Sequence, residues 1–294
     1  MQIETLKVFC DLVESASFSQ AAIRNFITQS AVSQQVRALE SRFDTALLVR
    51  DGRTVLTTEA GRILYEGFRD ILQRFDRMDA QLKSVGHEMA GKVRVAAVYT
   101  IGLYELSKVV KSYLKTYPKV NLHLEYSRSN QVYEDCQRGA VDLGLVPYPK
   151  PRKGIQIITL PGDRLILACP QDHPFAKRSQ IDLRRIDGEN FVAFERDTPS
   201  RRALDQIFRE HGIRVRIVME FDNIETIKRS VEIGAGISIV PQMTVMREVQ
   251  TGAIAQLQFK GQTFYRSLGV VVKHKKTLIP AAQKFIELLE TSQA

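Results

Sequence analysis

Apolar residues along the first ninety positions recur at helical and at alternating intervals, and the intervals predict the elements. Leu6, Phe9, Cys10 and Val13 share one helical face, so an amphipathic helix is predicted over residues 3–14. Ser17 opens a capping box with Gln20, and a short helix follows through Ala21, Ala22 and Ile23. Phe26-Ile27 breaks that helix. Thr28 then caps a second one whose apolar stripe is Val32, Val36, Leu39 and Phe43, leaving Gln29, Ser30, Ser33, Gln34 and Arg37 on other faces. Residues 47–57, LLVRDGRTVLT, alternate around Asp51-Gly52 and predict a β-hairpin, with Arg50 at its base and Arg53 near its tip. Thr57 or Thr58 caps a long helix running to about Val85. Its apolar residues Leu64, Phe68, Ile71, Phe75, Met78, Leu82 and Val85 step by four and three in strict alternation, a heptad seam that asks for a partner helix.

Beyond Gly91 the period changes and strands alternate with helices. Strands are predicted near 93–97, 120–126, 141–146, 164–169, 190–194, 215–221, 237–240, 254–258 and 267–273. Helices are predicted over 103–117, 131–138, 200–211, 224–233, 242–250 and 278–291. The alternation predicts an α/β fold with mostly parallel strands.

Composition changes this picture in three places. Hydrophobic residues make up 44% of the 294, which excludes a disordered chain. No uncharged apolar run reaches the ~18 residues of a membrane span, and Glu4, Asp11 and Glu14 near the start do not fit a signal peptide, so a cytoplasmic protein with no membrane partner is expected. Cys10, Cys136 and Cys169 are widely spaced and lack any CxxC, which fits neither a disulfide framework nor a zinc site. The net charge of +9 is unevenly placed: residues 1–90 hold 11 Lys/Arg against 12 Asp/Glu, so the excess lies in the remainder.

A short helix, a tight turn and a second helix with an exposed polar N-terminal end make a helix-turn-helix. Gln bonds adenine with two hydrogen bonds, Ser accepts or donates, and Arg prefers guanine or phosphate. An arginine on the hairpin suits a minor groove or a phosphate. A seam-paired dimer would place two such helices in successive major grooves of an inverted repeat in double-stranded DNA.

The residues that carry this reading also resemble those of the LysR-type transcriptional regulators. They are Phe18-Ser19-Gln20-Ala21-Ala22, the run Thr28 to Val36 (TQSAVSQQV), Leu39-Glu40, Leu47-Leu48-Val49-Arg50 and Leu56-Thr57-Thr58-Glu59-Ala60-Gly61. Ser30 stands where that family often has proline, and Leu48 where phenylalanine is usual. The resemblance implies Gln29, Ser33 and Gln34 at base edges, with Arg50, Arg53 and Thr58 near the DNA backbone or minor groove. It implies a winged helix-turn-helix domain over 1–58, a coiled-coil linker and dimerisation helix over 59–90, and an effector-binding domain over 91–294. That last domain resembles type 2 periplasmic binding proteins, with subdomain I at 91–162 plus 267–294 and subdomain II at 163–266. A homodimer or homotetramer is implied, and contact with RNA polymerase fits the same role.

In open α/β sheets, ligands gather at the carboxyl ends of strands, where helix N-termini offer free amides. That rule selects Thr100, Ile101, Asn130, Pro147, Tyr148, Phe194, Thr198, Ser200 and Asn223, with Arg196, Arg201 and Arg202 nearby. A carboxylate or inorganic anion is the expected small-molecule effector. The same Thr, Ser and Asn residues are ordinary helix caps, with or without a ligand. No GxGxxG, Walker A, HExxH or GxSxG motif occurs, so no enzyme, cofactor or metal is expected. A cysteine-based redox sensor of the same family and a solute-binding protein are the competing readings.

Overall fold

A computed structural model of the chain describes residues 1–51, 54–84 and 89–291. It forms two compact units, Met1–Gly91 and Lys92–Ala294. The first unit holds α1 (Ile3–Ser15), α2 (Phe18–Asn25), α3 (Gln29–Phe43), β1 (Leu48–Asp51), β2 (Thr54–Thr57) and α4 (Glu59–Ser84). Local chemistry sets the boundaries. Ser17 Oγ accepts from the Gln20 amide, and Thr28 Oγ1 accepts from the Ala31 amide. Phe26 ends α2 in the left-handed region, at φ 54°. The wing pairs Leu48 with Thr57 through Asp51 with Thr54. Its expected tip, Gly52-Arg53, lies outside the described residues, as does Val85 of the expected seam.

The core of this unit gathers Phe9, Leu12, Val32, Val36, Leu39 and Leu47. Phe68 joins it, 3% exposed, its ring edge-on to Phe9 at 5.8 Å. That corrects the heptad reading: Phe68, with Leu64 packed beside it, faces its own chain rather than a second helix. The cause is α1, which lies along the start of α4 and needs a lid over Phe9. Gly61 allows the close approach, since a Cβ there would stand 2.0 Å from the Leu47 carbonyl oxygen. Farther along α4, Ile71, Phe75, Met78 and Leu82 are exposed.

The second unit runs β3 (Gly91–Ala97), α5 (Tyr99–Tyr104), α6 (Leu106–Thr116), β4 (Val120–Tyr126), α7 (Ser129–Arg138), β5 (Leu143–Pro147), β6 (Ile155–Pro170), β7 (Gln180–Ile181), β8 (Asn190–Phe194), α8 (Pro199–His211), β9 (Arg216–Phe221), α9 (Ile224–Glu232), β10 (Ser238–Pro241), α10 (Met246–Gln250), β11 (Ile254–Phe259), β12 (Phe264–Lys273) and α11 (Pro280–Thr291). The main sheet is ordered β4-β3-β5-β12-β6-β11-β7, with β10 also on β6, and β8-β9 pair separately. β3 with β5 and β8 with β9 are parallel, as expected. The expectation of a mostly parallel sheet does not hold, however. β12 is antiparallel to β5 and β6, and β6 is antiparallel to β10 and β11. The chain crosses between two lobes along β6 and returns along β12, so the connections are themselves long strands of opposite direction.

Each lobe has its own core. One packs Ala96, Val132, Tyr133, Cys136, Val146 and Val271; the other packs Ile166, Phe191, Leu204, Ile227, Ile239 and Leu257 with their neighbours. Where the crossing strands meet, Arg266 lies opposite Asp163 and is 1% exposed. Its Nε donates to Asp163 Oδ2 at 2.8 Å and its Nη1 to Thr100 Oγ1 at 2.9 Å. A second polar bridge joins the lobes: Lys228 Nζ of α9 donates to Tyr104 of α5 at 2.6 Å and to Glu248 at 2.8 Å.

Asp142, just before β5, receives the Arg94 backbone amide at 2.9 Å, the Arg94 guanidinium at 3.1 Å and Lys276 Nζ at 2.9 Å. Burial pushes its carboxyl up, but Arg94 and Lys276 outweigh that and hold it below the usual carboxylate range. A lowered folded pKa stabilises above the unfolded value and is lost as pH falls through the folded one. Asp142→Asn is therefore expected to cost about 1–3 kcal/mol at pH 7. Chemical denaturation should show the difference from the parent chain shrinking below about pH 4. A difference that persists unchanged into acid would contradict this assignment.

Candidate nucleic-acid interface and ligand cleft

Thr28 fixes the start of α3 and so fixes which side chains stand outward. Val32, Val36 and Leu39 are buried, whereas Gln29, Ser30, Gln34 and Arg37 are exposed and Ser33 is half-buried. Positions 30, 33, 34 and 37 share one helical face opposite the buried stripe. Ser30 Oγ lies 2.8 Å from Thr28 Oγ1, so the residue that replaces the family's usual proline extends the cap. Arg50 belongs to β1. Thr58 caps α4, because its hydroxyl donates to the Ala46 carbonyl at 2.8 Å and accepts from the Gly61 amide at 2.9 Å. That leaves it no spare proton for a phosphate.

In the second unit, strand ends and helix starts converge on a cleft of about 660 Å³. Of the expected residues, Thr100, Asn130, Pro147, Phe194, Thr198, Ser200 and Asn223 line it. Ile101 and Tyr148 do not. Ile101 is 1% exposed and belongs to the core. Tyr148 sits in the left-handed region at φ 49°, and burial pushes its hydroxyl up to about 12 beside Arg266 and Asp163.

The caps are largely occupied. Thr198 Oγ1 accepts from the Arg201 amide, and Asn223 Oδ1 from the Thr226 amide. Asn130 Oδ1 accepts from Arg152 at 2.8 Å. Thr100 differs, because its oxygen accepts from the buried Arg266 and its hydroxyl proton can point into the cleft. Of the three nearby arginines, Arg201 is internal, bonded to Asp205, Glu220 and the Phe194 carbonyl. Arg196 pairs with Glu220, and only Arg202 lines the cleft.

The sequence rule missed the side chain that spans the cleft. Arg128, between β4 and α7, reaches Glu195 and Asp222 at 3.2 Å and Asp197 at 3.3 Å, all three on the other lobe. The Asn223 amide, and after it Arg128, hold Asp222 below the usual carboxylate range. Tyr99 and Tyr126, edge-to-face at 5.8 Å, form an aromatic wall that the rule also missed.

With this geometry in view, the comparisons decide the family. The family described as "LysR substrate binding domain" matches residues 86–294, and "Bacterial regulatory helix-turn-helix protein, lysR family" matches residues 3–62. The chain belongs to the LysR family. Among curated relatives, the RuBisCO operon transcriptional regulator of Allochromatium vinosum is 29% identical and covers 100% of this chain and 97% of its own length. Full-length CbnR, solved as a complex with its target DNA, is 22% identical with a TM-score of 0.70, covering 99% of this chain and 100% of its own. The Synechocystis PCC6803 CcmR regulatory domain, solved with 2-PG, is 23% identical with a TM-score of 0.62, covering 68% of this chain and 96% of its own. At these identities the two structures speak for the fold.

This LysR-family chain is a ligand-responsive transcriptional regulator. Its three cysteines are buried, and burial pushes each thiol up to about 12. Oxidant-sensing thiols need the opposite setting, exposed and easily ionised. No described helix is long and apolar enough to cross a membrane.

Proposed function

We propose that the chain reads an inverted-repeat operator through paired α3 helices, and that a small anionic effector in the cleft of the second unit controls that reading. The observation that carries the proposal is one polypeptide with both an outward polar face on a capped recognition helix and a two-lobed cleft strapped by Arg128. Gln29, Ser30, Ser33, Gln34 and Arg37 are the proposed groove-facing residues, with Arg50 and Arg53 of the wing on phosphate or in the minor groove. Ile71, Phe75, Met78 and Leu82 are the proposed pairing seam. They are exposed on a helix that otherwise shows water an apolar stripe. The proposed domain limits are 1–58, 59–90 and 91–294. The protein is proposed to work in the cytoplasm as a homodimer or homotetramer, in contact with RNA polymerase, and to catalyse no reaction of its own.

The effector reading rests on donors. Ser127, Ser129 and Ser200 line the cleft without a side-chain partner among the described residues, and the N-termini of α7 and α8 point amides at it. Arg128 is the proposed switch. A carboxylate or phosphate entering the cleft competes with Glu195, Asp197 and Asp222 for its guanidinium and so changes how the lobes are tied. A coupling of about 1–3 kcal/mol between effector and operator is the usual scale.

Gln34→Ala should lose about 1–3 kcal/mol on a duplex enriched from a random pool, with the assembly state unchanged. Fluorescence anisotropy at fixed salt measures this, and equal affinity would remove Gln34 from the interface. For the cleft, 2-PG and inorganic phosphate should be screened by thermal shift. Any of them that stabilises the parent chain should bind Arg128→Gln about tenfold or more weakly. Undiminished binding would move the anion away from Arg128.

A further inference from the structure

The charge distribution leaves something unexplained. A DNA-binding protein draws its sequence-independent affinity from cations that neutralise phosphates. Yet the first ninety residues hold 11 Lys/Arg against 12 Asp/Glu, while the remainder carries the whole excess of the +9 chain. Part of that excess is gathered at one place. The segments 136–141, 148–156 and 271–280 contain Arg138, Lys150, Arg152, Lys153, Lys273, Lys275 and Lys276 and not a single carboxylate. Of the carboxylates that flank them, Asp142 is taken up by Arg94 and Lys276, Glu134 pairs with Arg138 at 3.5 Å, and Asp135 accepts from the Gln131 amide at 2.8 Å.

The fold gathers these three segments along one flank of the first lobe, from the α7 side to the outer ends of β6 and β12. Lys273 pairs with Ile155 across β12 and β6, and the His274 amide donates to the Gly154 carbonyl at 2.8 Å. Gln137, beside Arg138 on α7, donates to the Lys153 carbonyl at 2.9 Å. The loop between them is pinned. Tyr133 hydroxyl accepts the Lys150 amide at 2.8 Å and donates to the Lys150 carbonyl at 3.2 Å, and Arg152 stacks over the Tyr133 ring at 4.0 Å. Pro149 and Pro151 stiffen it further. Arg138, Lys150, Arg152, Lys153 and Lys275 are exposed. A backbone held at this many points fixes where these side chains leave the surface.

We propose that this basic flank of the first lobe is a second contact for DNA phosphates, outside the helix-turn-helix and independent of base sequence. The inference rests on the DNA-binding reading above and adds a surface to it. Of the polyanions that would match the patch, duplex DNA is the one this chain already engages. Tethering to a bound operator supplies a high local concentration of phosphates.

The test uses the full chain and a 60-base-pair duplex of random sequence, titrated at several salt concentrations. The variant R138Q/K150Q/K153Q/K275Q leaves Arg152 in place, because Arg152 also holds Asn130 of the cleft. A matched control, K177Q/R178Q/R184Q/R185Q, removes the same charge from exposed positions of the second lobe, where Asp172, Asp182 and Asp187 intervene. Melting temperature and assembly state should match the parent for both.

The patch variant is expected to bind at least tenfold more weakly at about 50 mM salt. Its plot of log affinity against log salt should flatten by roughly 0.9 for each phosphate that is no longer neutralised, and the control should stay near the parent. An unchanged slope, or an equal loss in the control, overturns the proposal. In the first case the patch takes no part in DNA binding, and in the second only bulk charge matters. A parent chain that binds no duplex fails at the earlier reading instead.

Discussion

The second unit depends on one buried guanidinium. Arg266 sits where the two crossing strands meet, opposite Asp163 and in reach of Thr100. A charge so enclosed is tolerated only when its donors are met, and removing either partner of such a pair typically costs about 3–5 kcal/mol. The pair thus ties the two crossing strands to each other and, through Thr100, to the first lobe. Thr100 connects that tie to the cleft, since the oxygen that satisfies Arg266 belongs to a residue that also lines the cleft.

Around this anchor the lobes are bridged twice more, each time by a single cation among carboxylates. Lys228 is almost enclosed and bonded to Tyr104 and Glu248. Arg128 is largely open to water, and exposed ion pairs contribute little on their own. The contrast separates their roles. The enclosed cluster holds the lobes together, and the exposed strap is the one proposed to exchange for a ligand's charge.

Legibility in the sequence followed locality. The caps at Ser17 and Thr28, the paired wing strands and the apolar stripe of α3 involve residues a few positions apart, and they mark out the first unit. The strand-end rule located most of the cleft because Thr198 and Asn223 cap helices there, although those caps are engaged by backbone amides. Arg128 had no such signal, since its partners lie 67 to 94 residues away. Arg266 and Asp163 are 103 apart and equally silent. The heptad count misassigned Phe68 because spacing along one helix does not reveal which neighbour covers it. The parallel-sheet expectation failed because alternation of strand and helix does not say that β6 and β12 run through both lobes.

Occupancy of the cleft is proposed to alter how the first unit reads DNA, and one titration examines that link without intermediaries. It compares the affinity of the full chain for a duplex enriched from a random pool, with and without a ligand that raises its melting temperature. A change of about fivefold or more is predicted, abolished by Arg128→Gln. An affinity that stays the same at saturating ligand would contradict the link.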